Sequence, residues 1–297
     1  MSQLGKWRWQ PYFVLAIGVL TVSWAAVLIR IAAAPALVTG TYRLALASLA
    51  LTPLALWRNH DELLHLSWRD VRLLLAAGVF LGLHFATWIS SLAYTSVSSS
   101  VVLVSTSPIF VGLAARFLLK ENVAPRMFAG IALAVLGSAI VGWGGLTLSG
   151  TALWGDGLAI LGAIAISAYL LIGRDLRRRL PLLAYVTPTY WTAALVLGIA
   201  ACLSGQKLTG YPTHTNFMFL LLAIGPQIIG HSSYNWALRH LSPTMVAASV
   251  LGEPVGSTFL AYLVLREAPA VLEVVGGMVV VVGLYVCAHA EASGSVL

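Results

Sequence analysis

The sequence predicts an all-α membrane protein, in which ten transmembrane helices form two inverted five-helix repeats around a central cavity. Three observations predict this fold: the hydrophobic composition, the distribution of basic residues and an internal duplication. Hydrophobic residues make up 59% of the 297 residues, whereas charged residues make up only 9%. Because a soluble protein carries about a quarter of charged residues, this chain could not cover a surface exposed to water.

Apolar segments of membrane-spanning length, about 20 residues each, account for most of the chain. They must be helices, because lipid cannot satisfy exposed backbone groups. The ten predicted spans are 11–30, 35–57, 72–94, 98–119, 126–145, 154–173, 183–203, 216–238, 243–265 and 269–288.

The basic residues predict the orientation of these spans. Of the 17 Lys and Arg residues, thirteen fall on the side of the N-terminus, three fall on the other side and Arg43 lies within a span. Basic residues accumulate in cytoplasmic loops, so both termini are predicted to lie in the cytoplasm, and the multi-pass chain in the cell inner membrane. The thirteen are Lys6, Arg8, Arg58, Arg69, Arg72, Arg116, Lys120, Arg126, Arg174, Arg177, Arg178, Arg179 and Arg239, and the three are Arg30, Lys207 and Arg266.

The net charge of +7 follows from this topology and does not predict nucleic-acid binding. The basic run 174–179 lies between two predicted spans, where orientation and contact with anionic lipid headgroups explain it.

The internal duplication relates residues 1–147 to residues 148–297. Residue types that random apolar sequence would not align recur in one register near the end of each half. Each half holds five spans, an odd number, so the second copy must be inverted in the membrane. Inverted repeats are typical of secondary transporters, whose substrate site lies near the bilayer midplane. The recurring residues are Pro108, Lys120-Glu121, Gly130 and Gly137 in the first half and Pro254, Arg266-Glu267, Gly276 and Gly283 in the second.

Several short motifs carry a resemblance to a known family. They are Thr41-Tyr42-Arg43, Leu92-Ala93-Tyr94-Thr95-Ser96 and Pro108-Ile109-Phe110 in the first half, and Leu251-Gly252-Glu253-Pro254-Val255 and Leu265-Arg266-Glu267 in the second. In these motifs the chain resembles the EamA family of the drug/metabolite transporter superfamily. Within it, motif spacing and the intramembrane aromatic residues are most similar to the YddG-type exporters of aromatic and other amino acids. The resemblance implies a ten-helix bundle with a central cavity, which moves small organic solutes outward.

Four ionisable residues lie well inside predicted spans, away from the span ends, namely Arg43, His84, His231 and Glu253. A charged group at membrane depth is costly, so each is a candidate functional residue. His84 and Trp88 share one helix face, as do Gln227, His231 and Tyr234. Both stripes are predicted to line a cavity. The alternative is that these side chains bond neighbouring helices.

Glu253 precedes Pro254 near the middle of its span, and Pro108 occupies the matching place in the first half. Proline weakens a helix at the preceding turn, so these two prolines are predicted hinges. Glu253 is predicted to carry a proton or contact substrate. The alternative is a structural ion pair with Arg43 or a histidine.

Deep aromatic residues either pack between helices or line a pocket for bulky, partly apolar solutes. The second interpretation completes the candidate site. The predicted substrate-binding residues are Trp24, Tyr42, Arg43, His84, Trp88, Tyr169, Tyr190, Gln227, His231, Tyr234 and Glu253.

The sequence therefore predicts a transporter that exports amino acids with aromatic or other apolar side chains, and related metabolites, by alternating access. Another cargo, such as a sugar, nucleotide-sugar or lipophilic cation, stays open, as does a membrane-embedded enzyme or sensor. No phosphate-binding loop or catalytic constellation occurs in the sequence, so we expect no enzyme activity, catalytic residue, metal or cofactor. The expected partners are a small-molecule substrate and membrane lipid, and the expected state is a monomer.

Overall fold

The computed structural model describes residues 9–118, 120, 123–143, 150–265 and 270–293. Within these ranges the regular structure is helical, with fifteen α-helices and one π-helical segment, Ala223–His231. The α-helices are α1 (Gln10–Val22), α2 (Ala25–Ala32), α3 (Ala36–Arg58), α4 (His60–Leu64), α5 (Trp68–Ser91), α6 (Val97–Val104), α7 (Ser107–Phe117), α8 (Pro125–Gly142), α9 (Gly150–Arg177), α10 (Leu182–Leu203), α11 (Thr213–Leu222), α12 (Ser232–Ala237), α13 (Pro243–Val250), α14 (Glu253–Leu265) and α15 (Val271–Ala292).

Nine stretches of the described residues are helical, long enough and apolar enough to cross a membrane. The chain is therefore a multi-pass helical membrane protein. The predicted segment 243–265 is not among the nine, so the count of ten stays a prediction. The nine are Gln10–Ala32, Ala36–Arg58, Trp68–Ser91, Ser99–Phe117, Pro125–Gly142, Gly150–Arg177, Leu182–Leu203, Thr213–Ala237 and Val271–Ala292.

Some residues used in the sequence analysis lie outside the described ranges. They are Lys6, Arg8, Glu121, Arg266 and Glu267.

Serine caps fix the starts of three helices. The Ser67 hydroxyl accepts a hydrogen bond from the Asp70 N–H at 3.1 Å, so α5 begins at Trp68, four residues before the predicted edge. Ser96 caps α6 and Ser242 caps α13 in the same way. An N-cap hydroxyl replaces a hydrogen bond that the first turn of a helix lacks.

Three segments are interrupted near their middle, at residues 23–24, 105–106 and 251–252. Pro108 and Pro254 each lie in the first turn of the helix that follows an interruption. The sequence predicts that each proline weakens the helix at the preceding turn, and each break lies two or three residues before its proline. In the first turn of the following helix, proline needs no N–H partner.

Two of the interruptions contact each other. The Ser23 hydroxyl donates to the backbone oxygen of Glu253 at 3.2 Å. The Ser257 hydroxyl in turn donates to the backbone oxygen of Ser23 at 3.1 Å. The break in the first span is therefore joined to the start of α14.

Helices α8 and α15 cross closely through glycines that the internal duplication relates. A Cβ atom on Gly137 would lie 2.7 Å from the Gly276 oxygen, and one on Gly130 would lie 2.9 Å from the Gly283 oxygen. The two glycine pairs run in opposite directions along the helices, so α8 and α15 are antiparallel. Small residues here permit the backbones to approach.

The other spans pair in a similar manner. The third span, α5, packs on the sixth, α9, and the first span packs on the eighth. Both pairs are antiparallel: Tyr94 contacts the start of α9 near Gly155, while Gly18 lies against Tyr234 near the end of the eighth span. In both pairs a span of residues 1–147 packs on a span of residues 148–297. The largest apolar core of the described residues lies among these two pairs and the α3–α10 pair.

Candidate functional site

A small cavity lies where the three interruptions meet. Its walls include Val22, Val104 and Val250, each of which ends a helix at one of the breaks. The space in which the centre of a water molecule can lie measures about 30 Å³, enough for about two water molecules. The polar and aromatic lining residues are His84, Trp88, Tyr169, His231, Tyr234 and Glu253.

The third span contributes His84 and Trp88, whose rings are stacked with centroids 5.8 Å apart. His84 Nδ1 lies 3.0 Å from the backbone oxygen of Gly162. Because a carbonyl only accepts hydrogen bonds, Nδ1 carries the proton and Nε2 is the ring nitrogen left for another partner. His84 and Trp88, the predicted stripe, thus both line the cavity. Ser91, further along α5, contacts a neighbouring helix instead, with its hydroxyl 2.6 Å from that of Ser100.

The eighth span departs from α-helical geometry over Ala223–His231, where it forms a π-helical segment that contains Pro226. The α-helical spacing that predicted one stripe does not hold in such a segment. His231 and Tyr234 line the cavity. Gln227 is fully buried and bonds Arg43 instead. Single π-turns are frequent at functional sites.

Glu253 is the carboxylate of the cavity. It is 7% exposed, and its Oε1 accepts a hydrogen bond from the Tyr234 hydroxyl at 3.1 Å. Glu253 forms no ion pair with any residue in the described ranges, so the alternative of a structural pair with Arg43 or a histidine is not what the structure contains. Its position in the first turn of α14 is one that the helix dipole favours for a carboxylate.

Arg43 in α3 is fully buried. Its Nε donates to Gln227 Oε1 at 2.8 Å, and its guanidinium lies 4.4 Å from the Phe85 ring centroid, a cation–π contact. Nη1 and Nη2 have no hydrogen-bond partner among the described residues. The Phe85 ring lies 5.3 Å from that of His231, which lines the cavity. Phe85 thus links Arg43 to the cavity wall.

A second buried network surrounds Asn235. Tyr169 donates its hydroxyl to Asn235 Oδ1 at 2.8 Å, and Asn235 Nδ2 donates to the Tyr190 hydroxyl at 3.1 Å. Tyr190 also lies 3.2 Å from the Ser232 hydroxyl. In this network Tyr190 contacts Asn235 and Ser232, and it does not line the cavity.

Five of the eleven predicted site residues lie outside the cavity lining: Arg43, Gln227 and Tyr190, described above, and also Tyr42 and Trp24. The Tyr42 ring stacks on Phe219 with centroids 4.6 Å apart, and its hydroxyl donates to the Leu208 oxygen at 2.6 Å. Trp24 is half-buried at the break between α1 and α2. Both are absent from the cavity walls.

Sequence reasoning missed Phe85 and left Asn235 outside the predicted set. Phe85 gives no signal in an apolar segment, because it resembles any other core residue. Asn235 does give one, since an amide within a span needs partners.

Fold and site together define a polytopic helical membrane protein that encloses a small polar cavity. The EamA-like transporter family matches residues 9–143 and again residues 153–288. The chain therefore belongs to this family, and it is a membrane transporter.

Three named relatives are similar to the chain. An "Uncharacterized transporter" of Archaeoglobus fulgidus is 28% identical over 258 residues, which cover 82% of this chain and 84% of the relative. The "Uncharacterized transporter YdfC" of Bacillus subtilis is 22% identical over 69% of this chain and 67% of its own length. The "Uncharacterized inner membrane transporter YedA" of Escherichia coli K12 is 28% identical over 54% of this chain and 52% of its own length.

A solved crystal structure shares the fold. It matches with a TM-score of 0.80 and 18% identity, and the match covers 96% of this chain and 98% of that one.

Proposed function

We propose that the protein is a secondary transporter of the inner membrane that exports amino acids with aromatic or other apolar side chains, and related metabolites. The observation that carries the proposal is the fully buried Arg43, whose two Nη atoms lack partners among the described residues. A planar guanidinium binds a carboxylate through two parallel hydrogen bonds. A substrate carboxylate would complete the hydrogen bonding of Arg43.

The cavity walls support the remaining parts of such a substrate. Glu253 supplies a negative charge for an ammonium group. His84, Trp88, Tyr169 and Tyr234 supply rings, which suit a bulky, partly apolar side chain. A lipophilic cation would not gain from a buried arginine nearby.

The small size of the cavity supports alternating access. A space of about 30 Å³ is too small for an aromatic amino acid, so the surrounding helices must move to admit one. The three interruptions are the points where the spans can bend. Pro108 and Pro254, in the first turns after two of them, are the proposed hinges.

The ten-span, inverted-repeat arrangement of residues 1–147 and 148–297 is part of this proposal. The antiparallel crossing of α8 and α15 through related glycines supports it, because equivalent helices of inverted repeats run in opposite directions. Two inverted five-helix repeats place both termini on the same side of the membrane. The distribution of lysines and arginines favours the cytoplasmic side.

Topology reporters test this arrangement. A reporter fused after residue 150 should be active only in the periplasm, and one fused after residue 180 only in the cytoplasm. The reverse result would refute the proposed orientation and the inverted repeat.

Flux into liposomes containing the purified protein tests the substrate. Labelled phenylalanine and leucine should be transported, whereas the matching decarboxylated amines should not, because they offer Arg43 no carboxylate. Cells that overproduce the protein should tolerate toxic analogues of such amino acids. Flux of only sugars or cations, with unchanged sensitivity of cells that contain the protein in their membrane, would refute the proposal.

A further inference from the structure

A basic pocket lies at one end of the bundle, away from the cavity. The end of α9, the connection between α12 and α13 and the end of α15 form its walls. Its volume, measured as for the central cavity, is about 130 Å³. We call it the arginine pocket, and its charged and polar lining residues are Arg174, Arg178, Arg239, His240, Ser242 and Glu291.

Among the described residues, the lining of the arginine pocket holds more positive than negative charge, with three arginines and one carboxylate. Both oxygens of that carboxylate accept hydrogen bonds from Ser242. Glu291 accepts from the Ser242 N–H at 2.6 Å and from the Ser242 hydroxyl at 2.7 Å. Arg178 and Arg239 are exposed and form no ion pair with any described residue.

Arg179, at the same end of the bundle, shows the opposite arrangement. It forms ion pairs with Asp70 and, at 2.9 Å, with Asp175. Asp175 also lies 3.3 Å from Arg69. Arg179 is therefore neutralised by carboxylates, whereas Arg178 and Arg239 have no carboxylate partner among the described residues.

The pKa of His240 is consistent with positive charge in the arginine pocket. Partial burial, followed by the nearby Arg239 and Arg177, lowers the pKa of His240 below its ordinary value. A neighbouring positive charge opposes protonation of an imidazole.

An apolar groove begins one helical turn from the arginine pocket. It runs between α1, α13, α14 and α15 and has a volume of about 640 Å³ by the same measure. Met245 and Ala288 line the groove, three residues after Ser242 and three residues before Glu291 of the pocket. Leu241 of the pocket packs in the same apolar cluster as these two residues. One elongated amphipathic molecule can therefore occupy both.

We propose that the arginine pocket and the apolar groove together bind one anionic phospholipid, with its phosphate on Arg178 and Arg239 and an acyl chain in the groove. The guanidinium fork matches phosphate oxygens, and basic pockets between membrane helices bind anionic headgroups. Free phosphate shares the headgroup chemistry but has no chain for the groove.

Native mass spectrometry of the purified protein with added phosphatidylglycerol or phosphatidylcholine tests the proposal. Wild type should bind one phosphatidylglycerol more tightly than phosphatidylcholine. In the double variant Arg178→Gln/Arg239→Gln, the affinity for phosphatidylglycerol should fall roughly 25-fold, since each arginine that contacts the anionic headgroup contributes about a factor of five. The matched control Arg116→Gln/Arg126→Gln removes two exposed arginines outside the pocket and should bind like wild type.

Two further measurements distinguish a phospholipid headgroup from free inorganic phosphate and from simple loss of folding. Arg178→Lys/Arg239→Lys keeps the charge and should retain most of the binding, which also covers the case that the glutamine variant does not fold. Inorganic phosphate should not displace phosphatidylglycerol at millimolar concentration. Equal binding of the two lipids by wild type, equal losses in the control variant or full displacement by inorganic phosphate would each overturn the proposal.

Discussion

Two buried polar clusters involve the same span and differ in whether their hydrogen bonds are complete. Around Asn235, the side-chain amide bonds Tyr169 and Tyr190 at 2.8 and 3.1 Å. Around Arg43, one bond to Gln227 leaves Nη1 and Nη2 without partners among the described residues. A buried polar group without a partner costs about 1–3 kcal/mol, more when charged. The complete cluster therefore serves stability, whereas the incomplete one keeps donors for a ligand.

The substitution Arg43→Gln is expected to have the largest effect on transport. Amino acid flux into liposomes should fall at least about 100-fold, because truncating one side of a buried charge pair costs about 2–5 kcal/mol. Unfolding of the variant in detergent should occur at the same or higher temperature, since an uncompensated buried charge is removed. Unchanged flux, or loss of flux explained by unfolding, would break the contrast between the clusters.

Glu253→Gln tests the carboxylate of the cavity separately from Arg43. The change is nearly isosteric, and the new amide oxygen can still accept from Tyr234, so the protein should fold. Flux driven by an imposed pH gradient should be lost, because Glu253 is the one carboxylate among the described residues that lines the cavity and could carry a proton. Exchange of one substrate molecule for another should survive with a raised KM, since it needs no net proton movement but loses the negative charge proposed to face the substrate ammonium.

The test for Glu253 compares flux with and without an imposed pH gradient, in the wild type and in the Glu253→Gln variant. If wild type ignores the gradient, or the variant responds equally, Glu253 is not the proton carrier.

Asn235→Leu should affect stability and leave transport per folded molecule unchanged. The substitution removes the partner of the Tyr169 hydroxyl and one of the two partners of Tyr190. We expect the free energy of unfolding to fall by about 2–3 kcal/mol. Thermal unfolding and flux normalised to folded protein measure the two effects, and a selective loss of flux would assign Asn235 to the substrate site.

The sequence predicted the six polar and aromatic residues of the cavity lining, but less of the geometry of the cavity. His84, Trp88, Tyr169, His231, Tyr234 and Glu253 stand out as polar or aromatic groups in apolar spans, and the structure brings all six to one cavity. The glycines that revealed the duplication form the α8–α15 crossing, because only small residues fit there.

Other features are missed by an argument from residue spacing. The π-helical segment Ala223–His231 contains Pro226, but the change in helical repeat on which the spacing depends is not readable from that proline alone. The break at Ser23 and Trp24 is not followed by a nearby proline that would have predicted it. Phe85 contacts Arg43 through its ring face, yet nothing distinguishes it in sequence from core phenylalanines. Tertiary packing determines each of these, so local pattern could not predict them.

The smallest expected effect belongs to Tyr169→Phe, which separates the two functions of one side chain. The ring lines the cavity and the hydroxyl belongs to the Asn235 network. Removing only the hydroxyl should lower the free energy of unfolding by about 1 kcal/mol, the net value of one hydrogen bond, while flux stays at the wild-type level. Tyr185→Phe is the matched control, because Tyr185 is equally buried and its hydroxyl has no hydrogen-bond partner in the described part of the chain. The control should unfold at the wild-type temperature or at a slightly higher one. A loss of flux in Tyr169→Phe without loss of stability would mean that the hydroxyl contacts substrate, and the Asn235 cluster would then belong to the site as well.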